Sequence, residues 1–492
     1  MTERNKGIAL LIRDIVIRLG LDIVNVILNL IILTIVAGAL SAKEYGMYAM
    51  VFTTASLLIP ILLLRLNAAC VRFFPSILQQ PRSALRNVFV TIVLLASPVI
   101  FISCFAILAL TPWSGEVIFA QQVEQSLLYG LVGFLCLRCF STLFVDCFRA
   151  MNRSPVASLY NSSRFVVTLC FLSIQLLYDT TLLDILYAHI LAELLILSVV
   201  TAHLCLTGAL GMDFRFARDQ ITPYLRYSLP LVPYTFFIAV NQFADRYLIA
   251  HIVGIEEAGV YTFTYNLIAA AFLINTSIAY VIYPHISRLW HENAMDEIKR
   301  YLNLGVKFFL LFALPIAAGV SVVYQPVVQM MVGPEFIVST EVVVYVAIGY
   351  IAFGLGSIFS YLIDLSKKTT LFLRILFIAA CANICLNLLL IPSMGLAGAA
   401  LATLITYCIQ FLLIWRVSRN LISLNLSVDL RFAGCCVLGA ACMLLVLQNL
   451  TPIEGMAELT VAILAGAFIY FGITGFLLRK DIVVARHMLQ GR

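Results

Sequence analysis

The chain reads as an all-α integral membrane protein of about fourteen transmembrane helices, arranged as two six-helix bundles in parallel pseudo-twofold repeat followed by a C-terminal helix pair. Three observations predict this. Of 492 residues, 62% are hydrophobic and only 11% charged, far from the balance of a soluble globular protein. Apolar runs recur along the whole length, each near the ~20 residues a helix needs to cross about 30 Å of hydrocarbon, and they lack the alternation of a β-barrel strand. Basic residues gather in every second connection, as expected of cytoplasmic loops.

The N-terminal stretch sets Arg4, Lys6 and Arg13 ahead of an apolar run too long for a secretory h-region and without a small-residue cleavage site, so it is expected to stay as the first span. Length and hydropathy place the first six spans at Ile15–Gly38, Tyr45–Leu66, Val88–Leu110, Leu127–Cys147, Ser158–Leu177 and Leu183–Leu206. The next six are expected at Tyr227–Val253, Gly259–Tyr283, Leu304–Val332, Val342–Ile363, Leu371–Ile391 and Leu396–Trp415, and the last pair at Phe432–Leu450 and Met456–Leu478. The expected organisation is therefore an N-terminal bundle over residues 1–206, a cytoplasmic linker over 207–223, a C-terminal bundle over 224–416, and a peripheral helix pair with a cytoplasmic tail over 417–492.

With the N-terminus inside, the same side receives Arg72, Arg82 and Arg86, then Arg149 and Arg153, then Arg215 and Arg218, and finally Arg479, Lys480, Arg486 and Arg492, while Lys43 is the one loop base outside. The net charge of +6 is thus mostly topology and calls for no nucleic-acid partner. No outward loop is long enough to fold as a domain, which disfavours a membrane enzyme of glycan assembly. The 13 cysteines fall mainly in apolar runs and read as buried structural residues; Cys136 and Cys139 form a CxxC with no second pair, so neither a metal nor a cofactor is expected.

One stretch, Val232–Leu267, carries Asp245 and Arg246 deep inside a span and then turns through Glu257, Gly259 and Tyr261. An arginine near the middle of a spanning helix costs about 2.5–3.5 kcal/mol on insertion scales, so it needs compensation. Its turn repeats an earlier one: Glu44-Tyr45-Gly46-Met47-Tyr48 matches Glu257-Ala258-Gly259-Val260-Tyr261 at the corresponding place of each six-span half. Glycine there suits a tight turn and tyrosine an interfacial belt. Parallel halves related by an axis along the membrane normal are an architecture of alternating access.

These residues resemble a known family. Asp245-Arg246 followed by Gly254 and Glu257–Tyr261, the run Tyr283-Pro284-His285-Ile286-Ser287-Arg288-Leu289, and Asn383-Ile384-Cys385-Leu386-Asn387 leading into Gly395–Thr403 resemble the polysaccharide and oligosaccharide transporters of the multidrug, oligosaccharidyl-lipid and polysaccharide exporter superfamily, the Wzx-type flippases. The first-half motif, with Arg65 and Arg72, is similar to the family's second span. The resemblance spans nearly the whole chain and implies a non-enzymatic exporter of the bacterial inner membrane, with both termini cytoplasmic, that moves an undecaprenyl-diphosphate-linked glycan to the periplasmic leaflet. It also implies H+ or Na+ as coupling ion, and polysaccharide polymerase or export proteins as partners besides membrane lipids.

Such a substrate needs phosphate-binding cations, and arginine suits the task because its guanidinium stays charged and binds bidentately. The candidates are Arg246 and Arg138, deepest in their spans, then Arg164, and Arg65 with Arg72, seven apart and on one face if their helix continues. For Arg138 and Arg246 a structural role beside a nearby acid or carbonyl stays open, as does snorkelling to headgroups for Arg164. Asp245 is a candidate partner of Arg246 and a candidate coupling residue, although neighbours on a helix lie ~100° apart and do not face each other. Glu193, expected to pair with His189 four residues earlier, is the other candidate coupling site, with pairing to Arg138 or Arg164 as the alternative. Arg18 and Asp22 are spaced for an intrahelical pair. Pro60, Pro230, Pro233 and Pro315 are candidate hinges, Pro230 reading rather as a helix start. A drug or metabolite exporter of the same superfamily and a lipid II flippase are the rival functions; an aromatic-rich cavity with fewer bases would mark the former.

Overall fold

The computed structural model describes residues 3–178, 180–211, 213–366, 368–421, 429–449 and 453–479, with side chains from residue 20 onward except 218, 219, 276, 277 and 279–281. Among the described residues every regular element is helical, eighteen α-helices and one short 3-10 helix at Pro334–Phe336. The chain divides into two compact units, residues 1–259 and 260–492.

In the first unit the helices are α1 (Glu3–Ala39), α2 (Ala42–Leu62), α3 (Leu66–Ile77), α4 (Arg82–Ala109), α5 (Thr111–Phe119), α6 (Gln125–Ala150), α7 (Ser154–Gln175), α8 (Leu182–Leu206), α9 (Arg218–Ser228), α10 (Leu231–Ile252) and the first turn of α11 (Ile255–Ala271). Local chemistry sets where they begin. Ser41 caps α2 through a reciprocal pair: its Oγ accepts from the Glu44 N–H at 3.3 Å, and its own N–H donates to Glu44 Oε2 at 3.1 Å. Thr181 and Asp184 do the same for α8. Such boxes satisfy backbone donors that a helix start otherwise leaves orphaned.

The repeated motif has a different role from the expected one. Gly46 and Gly259 both lie inside helices rather than in turns. A Cβ on Gly46 would collide with the Ile255 carbonyl, and one on Gly259 would come within 2.6 Å of Gly46 Cα. The two glycines therefore let the first turns of α2 and α11 cross backbone to backbone. Tyr48 and Tyr261 are buried, 9% and 0% exposed, and are core residues rather than an interfacial belt. The motif's glutamates belong to helix starts, where a carboxylate complements the dipole.

The second unit holds the rest of α11, then α12 (Ile274–His291), α13 (Met295–Met331), α14 (Thr340–Leu365), α15 (Thr369–Met394), α16 (Leu396–Leu421), α17 (Leu430–Gln448) and α18 (Met456–Leu477). Its interior polar groups find partners across helices, Tyr265 with Tyr407 at 2.9 Å, Thr264 with Tyr324 at 2.7 Å and Asn383 donating to Thr406 Oγ1 at 3.4 Å, while Asn387 donates to Asn383 Oδ1 within α15 at 3.1 Å. Met443 of α17 packs toward Gly319 of α13 and Gly466 of α18, and Lys307 meets Asp429 at 2.7 Å where α17 begins.

Eleven of the described helices are long and apolar enough to cross a membrane: α1 (over Gly20–Ala39), α2, α4, α6, α8 and α13 to α18. The expected all-α membrane class therefore holds, and three of the fourteen expected spans fall short of that measure. They are α7, which carries Asn161, Ser162, Ser163 and Arg164; α10, which carries Asn241, Gln242, Asp245 and Arg246; and the run Gly259–Tyr283, which breaks at Phe272 and Leu273 between α11 and α12. Two of these shortfalls are where polar side chains concentrate. The expected continuous second span also ends early, because Leu64 and Arg65 adopt left-handed backbone at φ 49° and 55°. Pro230 stands at the start of α10 as expected, whereas α13 runs unbroken through Pro315. Arg18 of the expected Arg18–Asp22 pair, and the bases Arg4, Lys6, Arg13, Arg218, Lys480, Arg486 and Arg492, lie outside the described side chains.

Candidate functional site

Three helices of the first unit bring charge to one place. Arg138 comes from α6, Arg164 from α7 and Glu193 from α8. Both arginines meet the same atom, Glu193 Oε1: Arg138 through Nη1, and Arg164 through Nε at 2.8 Å, a close ion contact rather than an aligned hydrogen bond. Glu193 is 2% exposed, the Ser141 hydroxyl also stabilises its carboxylate, and its second oxygen has no well-aligned hydrogen-bond partner among the described residues. Removing such a carboxylate from water costs several kcal/mol, about as much again for each cation, and only mutual pairing makes the arrangement tenable. With two guanidiniums on one carboxylate, the cluster keeps an excess positive charge.

The arginines differ in how they are held. Arg164 donates through Nη2 to Ser141 Oγ at 2.8 Å and through Nη1 to Asn161 Oδ1 at 3.0 Å, and its side chain is 8% exposed. Arg138 has Glu193 as its polar partner and its side chain is 28% exposed. The exposed part faces a cavity of about 240 Å³. Asn29, Ser56, Thr168, His189 and the three charged residues supply its polar lining, and Tyr48, Phe52, Phe134 and Phe165 with the His189 imidazole its rings.

His189 does not pair with Glu193. Its Nε2 lies 3.1 Å from the Tyr48 hydroxyl, and its ring sits 4.7 Å from Phe52. The reason is geometric: Glu193 is turned toward the cations of α6 and α7, while His189, one turn earlier, faces the aromatic residues of α2 and α6.

The other candidates stand apart from this cavity. Arg246 Nη1 meets Asp245 Oδ1 at 2.6 Å and also donates to the Gln242 carbonyl; Asp245 Oδ1 accepts the Arg246 backbone N–H at 2.9 Å. Adjacent residues do pair here, contrary to the helical-wheel expectation, because the long arginine side chain folds back along its own helix. Both are buried, 2% and 3% exposed. Arg65 sits in the left-handed turn between α2 and α3, so no continuous helix face joins it to Arg72. Arg72 is exposed and lies over the Tyr227 ring at 4.4 Å.

Sequence reasoning singled out the three charges but missed their company. Ser141 is three residues after Arg138, and Asn161 three before Arg164, each at helical spacing on a face already marked by an arginine. Tyr48 was in view only as part of the repeat.

A family model described as polysaccharide biosynthesis protein matches residues 11–290. The chain belongs to that family. Agl15 of Haloferax volcanii, described as a probable low-salt glycan biosynthesis flippase, is 23% identical over 295 residues, covering 58% of this chain and 61% of that protein. AglR of the same organism, a probable flippase, is 25% identical over 402 residues, covering 78% and 79%. Among solved structures, the lipid II flippase MurJ in an inward closed conformation superimposes with a TM-score of 0.80 at 14% identity, covering 95% of this chain and all of that one. An inward-facing multidrug resistance MATE transporter gives 0.70 at 12% identity, covering 83% and 98%. Those likenesses show the fold. This polysaccharide biosynthesis family protein is a multi-pass membrane protein.

Proposed function

We propose that the protein is a flippase for a polyprenyl-diphosphate-linked oligosaccharide, undecaprenyl in a bacterium, such as an O-antigen, capsule or exopolysaccharide repeat unit. It carries this substrate from the cytoplasmic to the outer leaflet of the cytoplasmic membrane by alternating access of two six-helix bundles. The observation that supports this most directly is the cavity where Arg138 and Arg164 outnumber Glu193 inside a spanning unit. An ionisable residue within a span is by default functional, and a surplus guanidinium in a polar cavity is suited to a phosphate oxygen. At about 240 Å³ the cavity is smaller than the ~300–1,000 Å³ of drug-sized ligand sites, which fits a headgroup and not a glycan. The two relatives described as flippases, one of them for glycan biosynthesis, support the same substrate class.

In this reading Arg138 and Arg164 serve the diphosphate, Arg65 and Arg72 an inner vestibule, and Glu193 with Asp245 the coupling to H+ or Na+. Arg246 lines the path with its charge balanced by Asp245. Both termini face the cytoplasm, and polysaccharide polymerase or export proteins take the product. A second reading, a drug exporter, is favoured by the aromatic rings around the cavity; the excess positive charge opposes it for cationic drugs. Proteoliposomes loaded with a fluorescent lipid-linked oligosaccharide separate the two. Protein-dependent movement between leaflets supports the flippase, and its absence together with uptake of a hydrophobic drug overturns it.

A further inference from the structure

We infer that the two arginines divide the work at the cavity: Arg138 exchanges Glu193 for the diphosphate of the substrate, while Arg164 stays on the carboxylate and positions it. This rests on the flippase reading above and assigns roles within it. The asymmetry in how the two are held carries the argument. Arg164 has three polar partners, Ser141, Asn161 and Glu193, and is almost wholly buried, so its guanidinium is oriented whatever enters the cavity. Among the described residues Arg138 has Glu193 as its one polar partner, and it is the more exposed of the two, so its remaining donors face the cavity. Glu193 Oε1 meets both cations, so the carboxylate keeps one cation when the other leaves. His189 is engaged with Tyr48 and supplies neither.

The consequence is that Glu193 competes with the substrate for Arg138. Removing its negative charge then strengthens anion binding, whereas a cluster that merely supports the fold, or one that binds phosphate with all three residues fixed, would bind more weakly once disrupted. The test uses the full chain purified in detergent, with geranylgeranyl diphosphate as probe and calorimetry at fixed ionic strength. Thermal melting serves as the control for folding. Glu193→Gln is expected to bind about ten-fold more tightly than the natural protein, and Arg138→Ala about ten-fold more weakly, each roughly one charge-assisted hydrogen bond. The double variant binds as weakly as Arg138→Ala, because the guanidinium that remains, Arg164, stays held away from the substrate by Ser141 and Asn161. Should Glu193→Gln fail to fold, Glu193→Asp, which keeps the charge for Arg164 but shortens the reach to Arg138, is expected to tighten binding about three-fold.

Unchanged or weaker binding by the folded Glu193 variant overturns the inference, as does a gain that survives in the double variant. Inorganic pyrophosphate follows the same order of variants, since the phosphates are what Arg138 takes; a gain confined to the prenylated probe also overturns it. Failure of the natural protein to bind either probe sinks the headgroup reading itself, a result distinct from binding without the gain.

Discussion

Two buried charge sites in the first unit were built by opposite means. Asp245 and Arg246 are sequence neighbours on one helix, and the pair closes on itself: the guanidinium meets the carboxylate next to it and a carbonyl one turn back. Arg138, Arg164 and Glu193 come from three helices, share one oxygen atom, retain excess positive charge and border a cavity. The conspicuous charge pair of the sequence is the one already neutralised in place. The cluster that lacks balance was assembled from residues up to 55 positions apart. Burial of charge alone therefore does not mark a binding site; an unbalanced charge next to space does.

This contrast can be pressed by substitution. The largest expected effect on stability is at Arg164 and Arg246, whose guanidiniums are almost wholly buried and each satisfy several polar groups, whereas alanine at the partly exposed Arg138 leaves Arg164 on Glu193. Breaking a buried pair from one side costs about 3–5 kcal/mol, so both variants should melt at clearly lower temperature in detergent. Restoring neutrality with Asp245→Asn beside Arg246→Gln should recover much of the loss; no recovery would mean that shape, not charge, dominates there. A middle effect is expected at the glycine crossing. Gly259→Ala drives a Cβ to within 2.6 Å of Gly46 Cα, and overpacking of this kind costs about 1–3 kcal/mol, readable as a fall in melting temperature without change at the charge cluster. The smallest is at Asp429. The Lys307 ammonium and the Phe432 N–H hold its carboxyl below the ordinary aspartate value of 3.8. Its folded form is the more acidic, so its contribution is complete above pH 3.8 and declines as pH falls through the lowered value. Asp429→Asn should thus lower melting slightly at neutral pH, with the difference vanishing in strong acid.

Much of the fold was legible because the solvent enforces it. Apolar run length announced the eleven helices that stand out as spans, since in hydrocarbon each backbone group must be satisfied within its own helix. The runs that fell short contain Arg164 or Asp245 with Arg246, or break at Phe272 and Leu273, and there packing rather than hydropathy sets the element. The repeat was visible as a motif but its purpose was not. A five-residue match gives no sign that Gly46 and Gly259 touch, because that contact joins positions 213 residues apart. The same limit applied to the site. Arg138, Arg164 and Glu193 were each conspicuous as ionisable residues in apolar runs, but which of them meet depends on helix packing. His189 at i−4 from Glu193 looked like a partner by spacing alone, and the facing aromatic residues drew it elsewhere.

The central claim is that the unbalanced cluster, and not the balanced pair, handles the substrate's headgroup. It is tested most directly by measuring leaflet-to-leaflet transfer of lipid-linked oligosaccharide in proteoliposomes for Arg138→Ala and Arg138→Lys, with melting temperature recorded on the same preparations. The account predicts that Arg138→Ala loses transfer while melting close to the natural protein, and that Arg138→Lys retains part of it. Normal transfer by a well-folded Arg138→Ala protein would contradict the account.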